Sequence, residues 1–310
     1  MRFAIIGAGG VGGYFGGKLA QAGNDVTFIA RGATLAALRK QGLRVDSING
    51  NFEVDPVKVS DDPASPGAVD AVLFAVKAWQ LPDAAAAARP LFGPGTVAVP
   101  LENGMEAPEQ LSRILGPEHV LGGLCAIVSY VAEPGYIKHV GAEPMIVLGE
   151  LDGSRTDRVE LLRSTIEAAG VKAEVPADIH RSLWTKFLFI APMSGVGALT
   201  RVSIGDWRAM PEPRELAKSA IREILALAVA RGISLASDAL DATLARYDAL
   251  PSHSTSSLQR DVIEGKPSEL DAQLGAVVRM AAETGVQVPV CQMMYSALLP
   301  QERMARGRAS

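Results

Sequence analysis

Cysteine and histidine are scarce in this 310-residue chain, which contains only two cysteines and four histidines. Cys125 and Cys291 are far apart and neither belongs to a C-x-x-C motif, so the pattern favours a reducing compartment over a disulfide framework. The histidines are scattered and do not follow the spacings of metal ligands. We therefore expect neither a disulfide nor a structural metal.

The chain also lacks the positive charge of a nucleic-acid-binding protein. It has 30 lysines and arginines against 34 aspartates and glutamates, a net charge of −4, and no dense basic block. No apolar run approaches the roughly 18 residues that span a membrane, and the N-terminus lacks the pattern of a signal peptide. These absences predict a cytoplasmic protein with neither nucleic acid nor membrane as a partner.

Glycine, in contrast, is concentrated near the start of the chain. A short apolar strand, Phe3–Ile6, runs directly into a G-x-G-x-x-G turn and a helical segment, the sequence context in which this motif binds a dinucleotide. The first glycine permits the tight turn, the second the approach of a diphosphate, and the third the packing of the helix against the sheet. A merely flexible loop is the alternative. The predicted diphosphate-binding residues are Gly7, Ala8, Gly9, Gly10, Val11 and Gly12.

An arginine follows the second predicted strand, Asp25–Ala30. Sites that prefer NAD place an acidic residue near this point to bind the ribose 2′-OH, whereas an arginine there accommodates the 2′-phosphate of NADP. Arg31 therefore indicates NADPH as the cofactor. A solvent-facing arginine at the end of a strand remains the alternative.

Two further candidates follow later strands of the predicted sheet. Lys77 comes directly after the apolar run Asp70–Val76, at the edge where parallel sheets bind ligands; a helix-start lysine packed on Trp79 is equally compatible with the pattern. Asn103 follows the predicted strand 96–101. Its amide is placed either to bind cofactor or substrate, or simply to form a turn with the next glycine.

The remaining segments of the first half predict the rest of an α/β domain. Residues 43–59 have the alternation of an antiparallel hairpin with its turn at Gly50-Asn51, and three β-rich runs between residues 120 and 148 are expected at the far edge of the sheet. Beyond residue 178 the apolar period is helical, so we predict a Rossmann-type NADP-binding domain (1–177) followed by an all-helical substrate and catalytic domain (178–310). Breaks between its helices are expected at Gly195, Pro211, Gly232, Pro251 and Pro267.

Two ionisable residues of the helical half carry possible chemistry. Lys186 lies among apolar neighbours on the first predicted helix; such a lysine has a readily shifted pKa and suits a general acid, or it covers apolar surface with its stem. Glu269 is expected in the first turn of a later helix, where an acid complements the helix dipole. Ser268 and Asp271 resemble a capping box there, so local sequence alone favours a structural role for Glu269.

Taken together, these positions are similar to those of the ketopantoate reductases (2-dehydropantoate 2-reductases), and the resemblance spans nearly the whole chain. The matching segments are Gly7-x-Gly9-x-x-Gly12, Arg31, Lys77-Ala78-Trp79-Gln80, Asn103-Gly104-Met105, Leu183-Trp184-x-Lys186, Ser257 and Gly265-Lys266-Pro267-Ser268-Glu269.

The resemblance implies that NADPH reduces the 2-keto group of ketopantoate to give pantoate for pantothenate and coenzyme A synthesis. It implies that Lys186 is the general acid and that Arg31 binds the 2′-phosphate. It places Lys77 and Asn103 at the nicotinamide, and it makes Asn103, Ser257 and Glu269 substrate-binding residues, which reverses the local interpretation of Glu269. A small 2-oxo acid is the expected partner, and a homodimer is left open.

One departure from the family pattern concerns the substrate. The family commonly has asparagines four and eight residues after the catalytic lysine, where this chain has Ile190 and Ser194. We include Ser194 among the predicted substrate-binding residues because its hydroxyl stands at the second position. A related reductase of another small 2-oxo acid, or an NADPH-binding sensor without turnover, remains an alternative.

Overall fold

The computed structural model describes residues 1–309, which divide into two compact units. The first consists of Met1–Glu102 and Ala107–Ile179, and the second of Asn103–Glu106 and the chain from His180 onward. Ten strands and five helices belong to the first unit. Its strands are β1 (Arg2–Ile6), β2 (Asp25–Ile29), β3 (Leu43–Ser47), β4 (Phe52–Val54), β5 (Lys58–Ser60), β6 (Ala71–Phe74), β7 (Val97–Pro100), β8 (Leu121–Glu133), β9 (Tyr136–Glu150) and β10 (Lys172–Glu174). Its helices are α1 (Gly10–Gln21), α2 (Gly32–Gln41), α3 (Leu81–Ala88), α4 (Ala107–Leu115) and α5 (Asp157–Ala168).

A parallel sheet with the strand order β5-β2-β1-β6-β7 forms the centre of the first unit. Because side chains alternate along a strand, β1 sends Phe3 and Ile5 into one apolar core and Ala4 and Ile6 into another. All four side chains are at most 5% exposed. The predicted apolar strands therefore lie where a sheet covered on both faces requires them, and the α/β prediction is confirmed.

A second sheet, which the sequence did not predict, takes up the β-rich runs. β8 and β9 pair antiparallel over most of their length, and β9 continues the sheet to β10 and to β3 and β4. The expectation that residues 120–148 form the far edge of the parallel sheet was therefore wrong for the two long strands; only Val120, just before β8, makes a parallel bridge to Ala98 of the edge strand β7. The hairpin prediction was right for β3 and β4, but β5 leaves it and pairs with β2 in the parallel sheet.

The second unit is helical, as predicted. Its helices are α6 (Ile179–Thr200, whose first residue belongs to the first unit), α7 (Ile204–Ala209), α8 (Pro211–Ala230), α9 (Ala239–Ala249), α10 (Ser257–Ile263), α11 (Ala276–Thr284) and α12 (Pro289–Ala309), and a π-helical turn, Asp271–Gly275, precedes α11. The expected break at Gly195 was wrong, because α6 continues through it. A side chain there would collide with the sulfur of Met294, at 2.9 Å from the Cβ position, so this glycine provides room for packing.

By length and composition α6 would be able to cross a membrane, which the sequence analysis did not anticipate. However, 67% of its apolar window is buried inside the fold. That burial is typical of a core helix, and Trp184, Phe187 and Leu188 supply part of the core of the second unit.

The start of α1 packs closely against the turn that follows β1. Gly7 has a φ of +99°, in the region that favours glycine. A Cβ atom at Gly12 would lie 1.9 Å from the carbonyl oxygen of Gly7. Only a glycine at position 12 lets the helix rest on this turn.

Gly12→Ala should therefore lower the free energy of unfolding by about 1–3 kcal/mol, the usual cost of overpacking, because the new methyl group collides with backbone. Gly9→Ala is the matched control, since a Cβ atom at Gly9 meets no atom within 4 Å and its φ of −82° suits alanine. Chemical denaturation of both variants measures the difference. Equal stability of the two would contradict the packing argument.

Candidate active site

The glycine-rich turn presents the start of α1 at the carboxyl edge of the parallel sheet. The first N–H groups of a helix have no partner within the helix. Gly9 is the N-cap residue, and no side chain caps this terminus. The space over Gly9 is open to 4 Å. Free N–H donors, a positive dipole end and an unobstructed approach fit the diphosphate of a dinucleotide.

The other nucleotide candidates of this unit lie on strands that flank β1. β2 and β6 both pair with β1 in parallel, so their carboxyl ends stand on either side of the glycine-rich turn. Arg31 is exposed and is the N-cap residue of α2, just after β2. Lys77 is half-buried just after β6, and its N–H donates a 3.2 Å hydrogen bond to Oε1 of Gln80. The sheet thus brings the turn, Arg31 and Lys77 to one edge.

A cavity of about 470 Å³ lies at the opposite edge of this sheet. Its lining includes Arg2, Asp25 and Lys58, which are the first residues of β1, β2 and β5. Lys58 and Asp25 already form a 2.8 Å ion pair there. Because ligands of open α/β sheets bind outside the carboxyl ends of the strands, we do not assign this cavity to the dinucleotide.

In the second unit, two predicted substrate-binding residues contact each other. The side-chain amide of Asn103 donates a 3.1 Å hydrogen bond to Oε2 of Glu269. Glu269 is only 6% exposed, and it directly precedes the helical segment that begins at Leu270. The residues are 166 positions apart in the chain, so only the fold brings the amide and the carboxylate together.

The backbone beside Glu269 is fixed by a second buried carboxylate, Glu302. The N–H of Ser268 donates to both oxygens of Glu302, at 3.1 and 3.0 Å, and the Ser268 hydroxyl donates to Oε2 at 2.5 Å. Arg306 donates to Oε1 at 2.7 Å. The predicted capping box between Ser268 and Asp271 was wrong. The Ser268 hydroxyl accepts from the N–H of Leu270, and the carboxylate of Asp271 forms an ion pair with Arg279.

The short segment 103–106, which contains Asn103, is fixed by an ion pair of Glu106. Arg279 on α11 makes a bidentate pair with Glu106, with hydrogen bonds of 2.9 and 2.7 Å, and a further 3.0 Å bond to Asp271. The hydrogen bond to Glu106 is the main reason that the pKa of Arg279 is raised. Tyr295 donates a 2.9 Å hydrogen bond to the same Asp271. The residues 103–106 are therefore tied to the segment that carries Glu269.

The remaining candidates of the second unit lie on α6 and α10. Lys186, Ile190 and Ser194 recur every four residues on one face of α6, and that face passes from half-buried at Lys186 and Ile190 to fully buried at Ser194. Among residues 1–307, whose side chains the structure describes, the Lys186 ammonium makes no hydrogen bond or ion pair, and the Ser194 hydroxyl has no partner either. On α10, Ser256 caps the helix by accepting from the N–H of Gln259, whereas Ser257 is the half-buried first helical residue.

Sequence reasoning missed the residues that support this site. Glu302 and Arg279 stand far from the recognised motifs, and nothing in their local sequence distinguishes them from surface charges. Gln273 is different: it follows Glu269 by one helical turn, and a polar residue inside an otherwise apolar helix face was a signal that the sequence did offer. Within the described part of the chain no cluster of three or more metal-ligating side chains occurs.

A glycine turn between a parallel strand and a helix is typical of the dinucleotide-binding domain of an enzyme, and a cluster of polar side chains around Asn103 and Glu269 lies on the helical unit. Known proteins agree with this class. The family model described as "Ketopantoate reductase PanE/ApbA" matches residues 3–153, and "Ketopantoate reductase PanE/ApbA C terminal" matches residues 178–302.

Individual relatives match over nearly their whole length. The "Uncharacterized oxidoreductase YkpB" of Bacillus subtilis is 34% identical over 96% of this chain and 98% of its own. A 2-dehydropantoate 2-reductase of Mesorhizobium japonicum is 32% identical over 99% of both chains. The crystal structure of 2-dehydropantoate 2-reductase from Geobacter metallireducens has a TM-score of 0.91 at 33% identity and covers 97% of this chain and 99% of its own.

The chain belongs to the ketopantoate reductase family. It is an oxidoreductase.

Replacing Glu302 tests the support beneath Glu269. Glu302→Leu should lower the free energy of unfolding by about 3 kcal/mol, because it leaves the buried N–H and hydroxyl of Ser268 without an acceptor. Gln301→Leu on the same helix is the control: Gln301 is exposed, and its replacement should change stability by less than about 0.5 kcal/mol. Calorimetry compares the two variants, and an equally small loss for Glu302→Leu would contradict the support.

Proposed function

We propose that this protein catalyses the NADPH-dependent reduction of 2-dehydropantoate (ketopantoate) to pantoate, in the cytoplasmic synthesis of pantothenate and coenzyme A. The observation that carries the proposal is the partly buried hydrogen bond between Asn103 and Glu269. Both residues occupy positions of the family motif, and a carboxylate beside an amide offers an acceptor and a donor for a hydroxylated 2-oxo acid.

NADPH fits the first unit better than NADH on the charges available. The turn Gly7–Gly12 and the uncapped start of α1 would hold the diphosphate. Arg31 is exposed beside that turn and would pair with the 2′-phosphate, and Lys77 after β6 would contact the cofactor at the same edge of the sheet. When bound, NADPH supplies the hydride.

Lys186 would serve as the proton donor. Reduction of a ketone leaves negative charge on the former keto oxygen, and an ammonium placed there stabilises that charge and then protonates it. The Lys186 ammonium is suited to this because it is half-buried and has no partner among residues 1–307. A partly desolvated, uncommitted cation interacts more strongly with a developing anion than a fully hydrated one.

Asn103, Ser257, Glu269 and Ser194 would bind the rest of the substrate. Glu269 would accept from a substrate hydroxyl, with the Asn103 amide holding the carboxylate in position and contacting the reacting end. The hydroxyls of Ser257 and Ser194 each offer one donor and two acceptor sites.

A different small 2-oxo acid is the second candidate substrate, and Ile190 is the observation that favours it. This half-buried side chain stands one turn after Lys186, where the family commonly has an asparagine. An apolar group in place of an amide favours a substrate with more apolar surface at that point.

The assay for the function is the loss of NADPH absorbance with ketopantoate, run beside a panel of other 2-oxo acids. Lys186→Ala should lower kcat for the preferred acid by a factor of about 10² to 10⁴, the usual contribution of a general acid. Lys186→Arg should also be slow, since guanidinium keeps the charge but does not release a proton at neutral pH. Lys218→Ala, which removes a lysine paired with Glu215 on α8, is the control and should leave turnover unchanged.

The cofactor assignment has a separate test. Arg31→Ala should raise KM for NADPH about tenfold or more, as expected for a lost charge-assisted hydrogen bond, and should leave KM for NADH nearly unchanged. Arg39→Ala removes another exposed arginine from the same helix and should alter neither constant. Equal effects of Arg31→Ala on both cofactors would remove the 2′-phosphate from the proposal.

A further inference from the structure

Gln273 buries a complete side-chain amide that has no hydrogen-bond partner. The residue is 0% exposed, and neither Oε1 nor Nε2 forms a hydrogen bond with the described side chains and backbone of residues 1–307. The other fully enclosed glutamine of this unit behaves differently: Gln259 donates from Nε2 to the carbonyl of Val202 at 2.9 Å. Because buried polar groups in folded proteins are nearly always bonded, the Gln273 amide calls for a partner outside the chain.

The placement of Gln273 connects it to the substrate-binding candidates. Its N–H donates a 3.0 Å hydrogen bond to the carbonyl of Glu269, so the backbone of Glu269 lies one turn before Gln273 at the start of the same helical segment. The segment of Asn103 also runs past this turn, since a Cβ atom at Gly104 would lie 2.8 Å from the carbonyl oxygen of Ala272. The turn itself is π-helical, a rare geometry that is frequent at functional sites.

The buried end of the α6 face meets the same turn. The residue after Ser194 is Gly195, and a Cβ atom there would lie 3.0 Å from Cδ1 of Leu274, the residue after Gln273. Ser194 is 0% exposed and its hydroxyl also lacks a partner in the described chain. Two buried polar side chains without partners in the described chain therefore belong to residues that adjoin one packing contact, between Gly195 and Leu274.

We propose that Gln273 is a specificity-determining residue that binds the side-chain hydroxyl of a hydroxylated 2-oxo acid, beside Glu269 and with Ser194. This inference rests on the proposed reductase function and deepens it. A hydroxyl matches the amide in both directions, since it donates to Oε1 and accepts from Nε2. A second carboxylate is a poorer match, because it would be repelled by Glu269 one turn away.

The test compares ketopantoate with 3,3-dimethyl-2-oxobutanoate, which is the same acid without its hydroxyl. The wild-type enzyme should prefer ketopantoate in kcat/KM. Gln273→Met keeps an unbranched side chain of similar size and should lower that preference about tenfold, the scale of one hydrogen bond, mainly through KM for ketopantoate. The kinetics of the deoxy acid should change little. Gln273→Asn, which keeps the amide but withdraws it, should fall between the two.

Gln259→Met is the matched control. It removes a buried amide that has a protein partner, so it should lower the melting temperature and leave the substrate preference unchanged, whereas Gln273→Met should leave the melting temperature unchanged or higher.

Two results would overturn the inference: a wild-type enzyme that reduces both acids equally well, or an unchanged preference in Gln273→Met. If that unchanged preference came with a lower melting temperature, the partner of the amide would be an internal water. The failure of the proposed function would look different, because the wild-type protein would then fail to oxidise NADPH with any of the 2-oxo acids tested.

Discussion

A polar group that folding removes from water must find a hydrogen-bond partner, and the helical unit is arranged around this constraint. The N–H and hydroxyl of Ser268 bond to the buried Glu302, and the carboxylate of Glu269 accepts from Asn103. Each bond fixes a short piece of backbone as well as a side chain. The positions at which the constraint is not met by the protein, Gln273 and Ser194, are then the positions at which a ligand has most to offer.

The α/β unit solves a different problem with backbone alone. Its turn contributes N–H groups rather than charged side chains, so the geometry of Gly7 and Gly12 matters more than the chemistry of their neighbours. The charged side chains predicted to bind the cofactor are Arg31 and Lys77, which follow β2 and β6. In this unit the proposed binding of a diphosphate therefore depends on how closely α1 approaches the turn after β1, whereas the proposed substrate site of the helical unit depends on how its polar side chains are paired.

Much of this was predictable from periodicity and spacing. Short apolar runs gave the strands of the parallel sheet, and helical period gave the second unit, because both signals are local. The second sheet was not predictable, since β8 and β9 share the alternation of an edge hairpin and only the pairing of β9 with β3 and β10 shows where this hairpin belongs. For the same reason β5 was included in the hairpin of residues 43–59, although it pairs with β2. Gly195 was predicted to be a helix break, but its role is to leave space for the sulfur of Met294. Local sequence does not show this role because Met294 is distant in the chain.

The site followed the same division. The glycine turn, Arg31 and Lys186 were named from motifs, and their roles in cofactor binding and proton donation stay predictions. The contact of Asn103 with Glu269, and the support from Glu302 and Arg279, join residues whose separation in sequence exceeds any local window. Local sequence even argued that Glu269 was a helix-dipole residue, which a single pattern cannot distinguish from a ligand-binding acid.

The helical unit is also not one continuous stretch of chain. Four residues, Asn103–Glu106, belong to it although they are encoded within the α/β half. An excised polypeptide beginning near residue 178 would retain Glu269 and Arg279 but would lack their partners. Glu269 would lose the amide of Asn103, and Arg279 would lose the carboxylate of Glu106. Neither half of the gene therefore encodes the complete helical unit. Recombination that exchanges one half between relatives must also preserve the matching segment Asn103–Glu106.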